Sequence, residues 1–147
     1  MGSTFSGLLP YSFLVLLFFS TYSCKKDNEK AVPEVYVDFY ININDPQFYN
    51  LQSIGGYVYV TGGVAGIVVY RESSTSFLAY DRCCTYDVDK RCKIQMDTTS
   101  NQKLFCPTCH SEFAISNGAV TKSPAKQPLK QYNTTFDGEK VHISNNF

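Results

Sequence analysis

The sequence predicts a small all-β domain, an antiparallel sandwich, and three observations lead there. Short apolar or alternating runs of three to six residues recur along the chain, parted by Gly, Pro, Asn and Asp clusters. No stretch sustains a 3.6-residue apolar period, apart from one helical turn expected near Gln47–Leu51. Tyr and Phe, with 11 copies each and no Trp, weight the composition toward strands. At 147 residues, one compact domain is the expected content, and about 110 residues suffice for its core.

Each element follows from its local pattern. From Ala31 to Ile43, Val35, Val37, Phe39, Ile41 and Ile43 alternate and would share one face of a strand that Asp45-Pro46 ends. Tyr57–Val60 and Gly66–Tyr70, joined through Thr61-Gly62-Gly63, read as a hairpin. Phe77–Tyr80 is a further strand, entered from the polar turn 71–75. Lys93–Met96 and Gln102–Phe105 flank a polar turn at 97–101. Phe113–Ile115, Ala119-Val120, Leu129–Tyr132 and Lys140–Ile143 follow, with Ser116-Asn117-Gly118 and Asp137-Gly138 as turns. This is the pattern of a sandwich or barrel of short strands, without internal repeats.

The N-terminus reads as an export signal. Phe13–Phe19 is an apolar run within Leu8–Ser20, shorter than the roughly 20 residues a membrane-spanning helix needs and suited to a signal-peptide h-region. It closes on Ser20-Thr21-Tyr22-Ser23-Cys24 and a charged stretch from Lys25 to Lys30. This resembles a bacterial lipobox, which implies a signal peptide over 1–23, lipid attachment at Cys24 and a tether over 24–34 before the domain at 35–147. The expected location is the cell envelope, exported and lipid-anchored in the membrane. Lys or Arg is missing from the first seven residues, and the positions before Cys24 are not of the usual Leu-Ala-Gly type. The formal net charge of zero offers no basic patch for nucleic acid.

Five of the six cysteines lie between positions 83 and 109. Cys106-Pro107-Thr108-Cys109 is a Cys-X-X-Cys knuckle, in which the backbone turns back so that both sulfurs can face one ion. Cys83 or Cys84, together with Cys92, supplies a second pair, and the metal-ligand set expected is Cys84, Cys92, Cys106 and Cys109. Four thiolates from two β-loops close a tetrahedral site. The seven residues between Cys84 and Cys92 exceed the usual knuckle spacing of two to four.

Two segments carry a family resemblance. Asp81-Arg82-Cys83-Cys84-Thr85-Tyr86 and Cys106-Pro107-Thr108-Cys109-His110-Ser111-Glu112-Phe113 are followed by Asn117-Gly118-Ala119-Val120 and Ser123-Pro124-Ala125-Lys126-Gln127-Pro128-Leu129. Together they resemble the Rieske 2Fe-2S domain, and in particular the Rieske-like lipoproteins of Bacteroidetes. The resemblance implies a Rieske-like sandwich with the two cysteine loops at one tip, and an iron–sulfur centre that transfers electrons. The family places two Cys on one iron and two His on the other. Cys84 and Cys106 match the family cysteines. Tyr86 stands where the first His belongs and Cys109 where the second does, while His110 occupies the family's Gly position.

Three outcomes stay open for these thiols: a modified cluster or mononuclear site, a zinc site on the same four cysteines, or no metal, with disulfides such as Cys84–Cys109 pinning the loops. Export permits disulfides. No twin-Arg pair precedes the h-region, which argues against export with a finished cluster. His110 reads as a loop residue, His142 as structural and Tyr86 as packing over the loop. Cys83 is the odd thiol. A thioredoxin-like use of the knuckle would need a βαβ setting that the sequence lacks. The sequence shows no Ser-His-Asp set, no paired carboxylates in a cleft and no phosphate-binding loop, and a non-enzyme with an unknown redox or protein partner is expected.

Overall fold

The computed structural model describes residues 1–2, 30–100 and 102–145. The expected signal peptide, Cys24 and most of the tether lie outside the described residues. Among the described residues, no helix is long and apolar enough to cross a membrane.

Among the described residues, ten strands make two antiparallel sheets. The larger holds β1 (Asp38–Asn42), β2 (Tyr57–Val60), β3 (Ile67–Arg71), β4 (Phe77–Asp81), β9 (Gln131–Phe136) and β10 (Lys140–Ser144) in the order β1-β10-β9-β4-β3-β2. The smaller runs β5 (Gln95–Met96), β6 (Lys103–Phe105), β7 (Glu112–Ala114), β8 (Val120–Lys122) in sequence order. The larger sheet curls over one core, in which Ile41, Ile67, Val69, Ala79, Val141 and Ile143 meet. Its outer face buries Val68, Leu78 and Tyr80 against Met96, Leu104 and Phe113 of the smaller sheet, with Ile94 beside them. β3 and β4 lie between the two cores. This is why their sequences are continuous apolar runs, whereas β10 alternates. All five residues of β4 are buried, Asp81 included.

The expected all-β class and antiparallel sandwich hold, and the hairpin of Tyr57–Val60 with Ile67–Arg71 falls where the turn residues place it. β1 begins only at Asp38, because upstream of it Asn145 takes over the backbone: its Nδ2 donates to Val35 O at 2.6 Å and its Oδ1 accepts from Val37 N at 2.7 Å. Val35 is consequently exposed. The helical turn near Gln47 is a 3-10 helix over Pro46–Gln52. A second one at Val88–Lys90 has no periodic signal in the sequence.

Candidate metal centre

Both cysteine loops leave the same end of the sandwich. The first departs from β4 at Asp81, whose carboxylate is fully buried and accepts four hydrogen bonds. Oδ2 takes Val64 N at 2.6 Å and the Tyr132 hydroxyl at 2.8 Å. Oδ1 takes Cys83 N at 2.8 Å and Ala65 N at 3.2 Å. A buried carboxylate is tolerated only with such donors. Burial, reinforced by the hydrogen bond to this anion, raises the Tyr132 phenol far above its ordinary value. Gly63, at φ 59°, lets the backbone pass against this group; a Cβ there would stand 2.3 Å from Asp81 Oδ2.

The long spacing between Cys84 and Cys92 is resolved by a return of the chain on itself. Cys83 and Lys93 form an isolated antiparallel bridge, Cys84 N donates to Cys92 O at 2.9 Å, and Ile94 N donates to Arg82 O at 2.7 Å. The 3-10 turn at 88–90 closes the excursion, with Arg91 left-handed at φ 47°. Cys92 thereby arrives beside Cys84 despite seven intervening residues. Arg82 braces the base, its guanidinium 3.7 Å from the Tyr59 ring centroid and its Nε donating to Ile94 O at 3.0 Å.

The second loop is a tight turn between β6 and β7. Cys106 N donates to Ser111 O and His110 N to Cys106 O, both at 2.9 Å, and His110 adopts the left-handed region at φ 61°. A third segment closes the side: Ala125 N donates to Ser111 Oγ at 2.9 Å, and the Thr85 hydroxyl donates to Gln127 O at 2.7 Å.

The sulfurs gather between these loops. The Sγ atoms of Cys84, Cys106 and Cys109 lie within 4.8 Å of one another. Cys84 and Cys109 approach to 3.5 Å, and Cys92 joins through Cys106 at 3.1 Å. All four predicted ligands, with Tyr86, Asp87, Lys90, Thr108 and Pro124, line one cavity of about 330 Å³. Cys83 points away, its Sγ 3.7 Å from Val88 O in a separate small cluster with Ala65 and Val88. Its position settles which of the adjacent cysteines faces the cavity: Cys84.

The thiols differ sharply. Burial pushes Cys83 and Cys106 up to about 11, and Cys84 higher still. Cys109 goes the other way. Burial opposes its thiolate, but hydrogen bonding from Ser111, whose Oγ is 3.1 Å away, and from the neighbouring thiols holds it below the ordinary cysteine value. The Thr108 hydroxyl stands 2.9 Å from Cys92 Sγ. Thr108 carries no signal in the sequence and Ser111 is legible there only as a motif match; their roles depend on how the loop turns.

Neither histidine reaches this cavity. His110 faces a separate one of about 280 Å³ with Asp97, Lys103, Phe105, Glu112 and Lys122. His142 stacks on Tyr40 at 4.3 Å and bonds Asp38 Oδ1 at 2.7 Å on the outer strands of the large sheet. Tyr86 is half-exposed at the rim. The chemistry of the cavity is that of a cluster of thiols at the tip of a β-sandwich.

That arrangement defines a class, a β-sandwich presenting a two-loop metal site, and the comparisons make it specific. The Rieske 2Fe-2S domain family model matches residues 50–133, more than half of the chain, and the chain belongs to this family. The cyanobacterial plasma membrane Rieske protein of Synechocystis is similar in structure, with TM-score 0.56 and 24% identity, over 71% of this chain and 99% of its own. So is the ferredoxin of carbazole 1,9a-dioxygenase from Nocardioides aromaticivorans, with TM-score 0.51 and 16% identity, over 77% of this chain and 100% of its own. No curated protein matches. The family implies a 2Fe-2S cluster, normally held by two Cys and two His. The residues lining this cavity do not supply that donor set, because cysteine is its only conventional metal-binding side chain besides one rim carboxylate, Asp87.

Proposed function

We propose that this chain is an electron-carrying lipoprotein of the cell envelope, whose Rieske-fold domain holds its metal with Cys84, Cys92, Cys106 and Cys109 in place of the family's mixed ligands. It acts as a carrier and not as an enzyme. The observation that carries this reading is the convergence of four thiols from two loops on one cavity that no histidine enters. A thiolate-bound iron centre supplies one-electron transfer, whereas zinc on the same ligands gives no redox chemistry. The chain's own part is to hold the ligands and modulate them. Asp81 and the Cys83–Lys93 bridge fix the first loop, and Ser111 and Thr108 place hydroxyls against Cys109 and Cys92.

Iron, zinc and acid-labile sulfide, measured with the visible spectrum on the full chain and on C92S and C83S, test it. Coloured, iron-containing protein that loses metal in C92S and keeps it in C83S supports the proposal. A colourless zinc protein would retain the ligand set and remove electron transfer.

One observation favours a second reading, a metal-free interaction domain stapled by disulfides. The four sulfurs form two close pairs, Cys84 with Cys109 and Cys92 with Cys106, and an exported chain meets oxidising conditions. Thiol counting in denaturant separates the readings: one reactive thiol among residues 83–109 favours the staples, and five exclude them.

A further inference from the structure

The chain ahead of β1 does not leave the domain freely. Residues 30–37 run as a strap along its flank and end at the cysteine tip. Asn145 brackets Val35 and Val37 at one end. In the middle, Lys130 Nζ, whose side chain is only 11% exposed, donates to Pro33 O at 2.9 Å and to Glu34 Oε2 at 2.8 Å. At the far end Val32 packs on the buried trio of Ala65, from the turn between β2 and β3, and Cys83 and Val88 of the first cysteine loop. Lys30 pairs with Asp89 of that loop at 2.5 Å. Asp89 lies between two residues, Asp87 and Lys90, that wall the sulfur cavity. Val32 and Lys130 carry the attachment, since the Lys30 pair is exposed and such pairs contribute little.

We infer that this strap turns the cysteine-bearing tip toward the bilayer, so that the sulfur cavity faces a partner resident in or on the membrane. The inference rests on anchoring at Cys24. Five residues separate Cys24 from Lys30, and the six Cα–Cα steps between them reach about 20 Å when fully extended. The tip therefore cannot stray farther than that from the lipid surface by way of its tether. The opposite pole is formed by the 72–76 and 137–139 turns and the 3-10 helix Pro46–Gln52, which Arg71 holds through Leu51 O at 2.9 Å. That pole lies at least one five-residue strand beyond, about 17 Å farther. Had the strap run along the other flank, the cavity would face away from the membrane.

The absence of Trp makes the orientation readable by fluorescence. Tyr86 at the tip and Tyr49 at the opposite pole are both exposed, at 50% and 67%, so Tyr86→Trp and Tyr49→Trp are mild changes. Each full-length variant is bound to phosphatidylcholine vesicles with and without nitroxide on the headgroups, and the ratio of emission is taken. We expect the Tyr86→Trp chain to be quenched at least twofold more strongly than the Tyr49→Trp chain. That difference should shrink when Val32→Asp and Lys130→Ala release the strap. Equal quenching, or stronger quenching at position 49, overturns the inference while leaving the anchoring intact. A chain that fails to float with vesicles overturns it as well, and an unacylated N-terminal peptide mass then shows that the anchoring reading failed.

Discussion

Replacing Asp81 by Asn keeps the size of a fully buried side chain and removes its charge, at the point where β4 becomes the first cysteine loop. The amide oxygen can still accept from Ala65 N and Cys83 N. Its NH2 group, however, now faces Val64 N, a donor against a donor at a site where the native contact is 2.6 Å. The Tyr132 hydroxyl can rotate to accept, so one backbone N–H is left without a partner, at about 1–3 kcal/mol. The two retained bonds lose charge assistance, about 1 kcal/mol each from the difference between charged and neutral hydrogen bonds. Against this, the variant no longer buries an anion, which returns part of a several-kcal/mol desolvation cost. The net expected loss is about 2–3 kcal/mol, or roughly 10–20 °C in Tm for a domain of this size. Urea unfolding followed by far-ultraviolet circular dichroism measures it as a lower midpoint at unchanged slope. Hydrogen exchange should also speed up at the Val64 amide, and less at Cys83. A loss under about 1 kcal/mol would refute the reasoning, because it would mean that the four bonds do no more than offset the burial of the charge.

Three further outcomes follow from the same geometry. Gly63→Ala should cost at least about 2 kcal/mol, since a positive φ alone costs a β-carbon about 1–2 kcal/mol and the added methyl would press on Asp81 and Tyr132; thermal melting reads it, and an unchanged Tm would contradict the close packing. In reduced, metal-free protein at pH 8, iodoacetamide should modify Cys109 well before Cys83, Cys84 and Cys106, because Cys109 is partly exposed with its thiolate favoured and the other three are buried with their values pushed up; peptide mapping over time gives the order. Glu34, Asp38, Asp87, Asp97, Glu112 and Asp137 all have carboxyls held below their ordinary range by cationic partners, a hydroxyl or backbone N–H groups. A depressed folded value adds stability that is full above the unfolded carboxylate range near 4 and is lost as pH falls through the folded values. Urea midpoints should therefore hold from pH 7 to about 5 and decline below about 4, less steeply in high salt because these groups are exposed or only half-buried; a midpoint that rises on acidification would reverse the sign.

The class of fold was legible because strands two residues in period, bounded by Gly, Asn and Asp, announce themselves locally. Val58, Ile41 and Val141 could be assigned to a core from alternation alone. The arrangement of ten strands in two sheets was not, because β4 pairs with β9 across fifty residues and nothing local encodes that partner. Cys84, Cys106 and Cys109 were legible from the spacing and the Rieske pattern. Cys92 was the least secure of the four, since a seven-residue gap looks wrong for a knuckle. The chain meets it with a bridge at Cys83–Lys93, and a backbone pairing of that kind leaves no mark on residue type. Asp81 stood in a matched motif, but its role as a four-bond acceptor depends on Val64, Ala65 and Tyr132 arriving from elsewhere. Residues 31–37 read as the opening of the first strand, overlapping the tether expected over 24–34; the strand starts only at Asp38, and upstream of it the chain is a strap that Asn145 and Lys130 fix, which no local pattern announces.

The ligand set proposed above asks for no change in the family frame. What holds the two loops is backbone: Asp81 on Cys83 N, Cys84 N on Cys92 O, and Cys106 N on Ser111 O. None of these bonds involves the two positions where the family keeps histidine, so exchanging those side chains leaves the loops in place. The exchange does alter reach. An imidazole nitrogen stands farther from the backbone than a thiol, and cysteine at 109 draws its donor inward, to 3.5 Å from Cys84 Sγ. Tyr86 turns its ring to the rim and leaves the cavity a donor short. Cys92 stands on the returning arm of the same loop, its Sγ 3.1 Å from that of Cys106. A single tetrahedral ion with metal–sulfur bonds near 2.3 Å has sulfurs about 3.8 Å apart, close to the spacing of the Cys84–Cys109 pair. A two-iron cluster needs its ligand pairs farther apart, on opposite irons. The ratio of acid-labile sulfide to metal therefore measures how far the loops open: zero for one ion on four thiolates, one for a retained 2Fe-2S cluster.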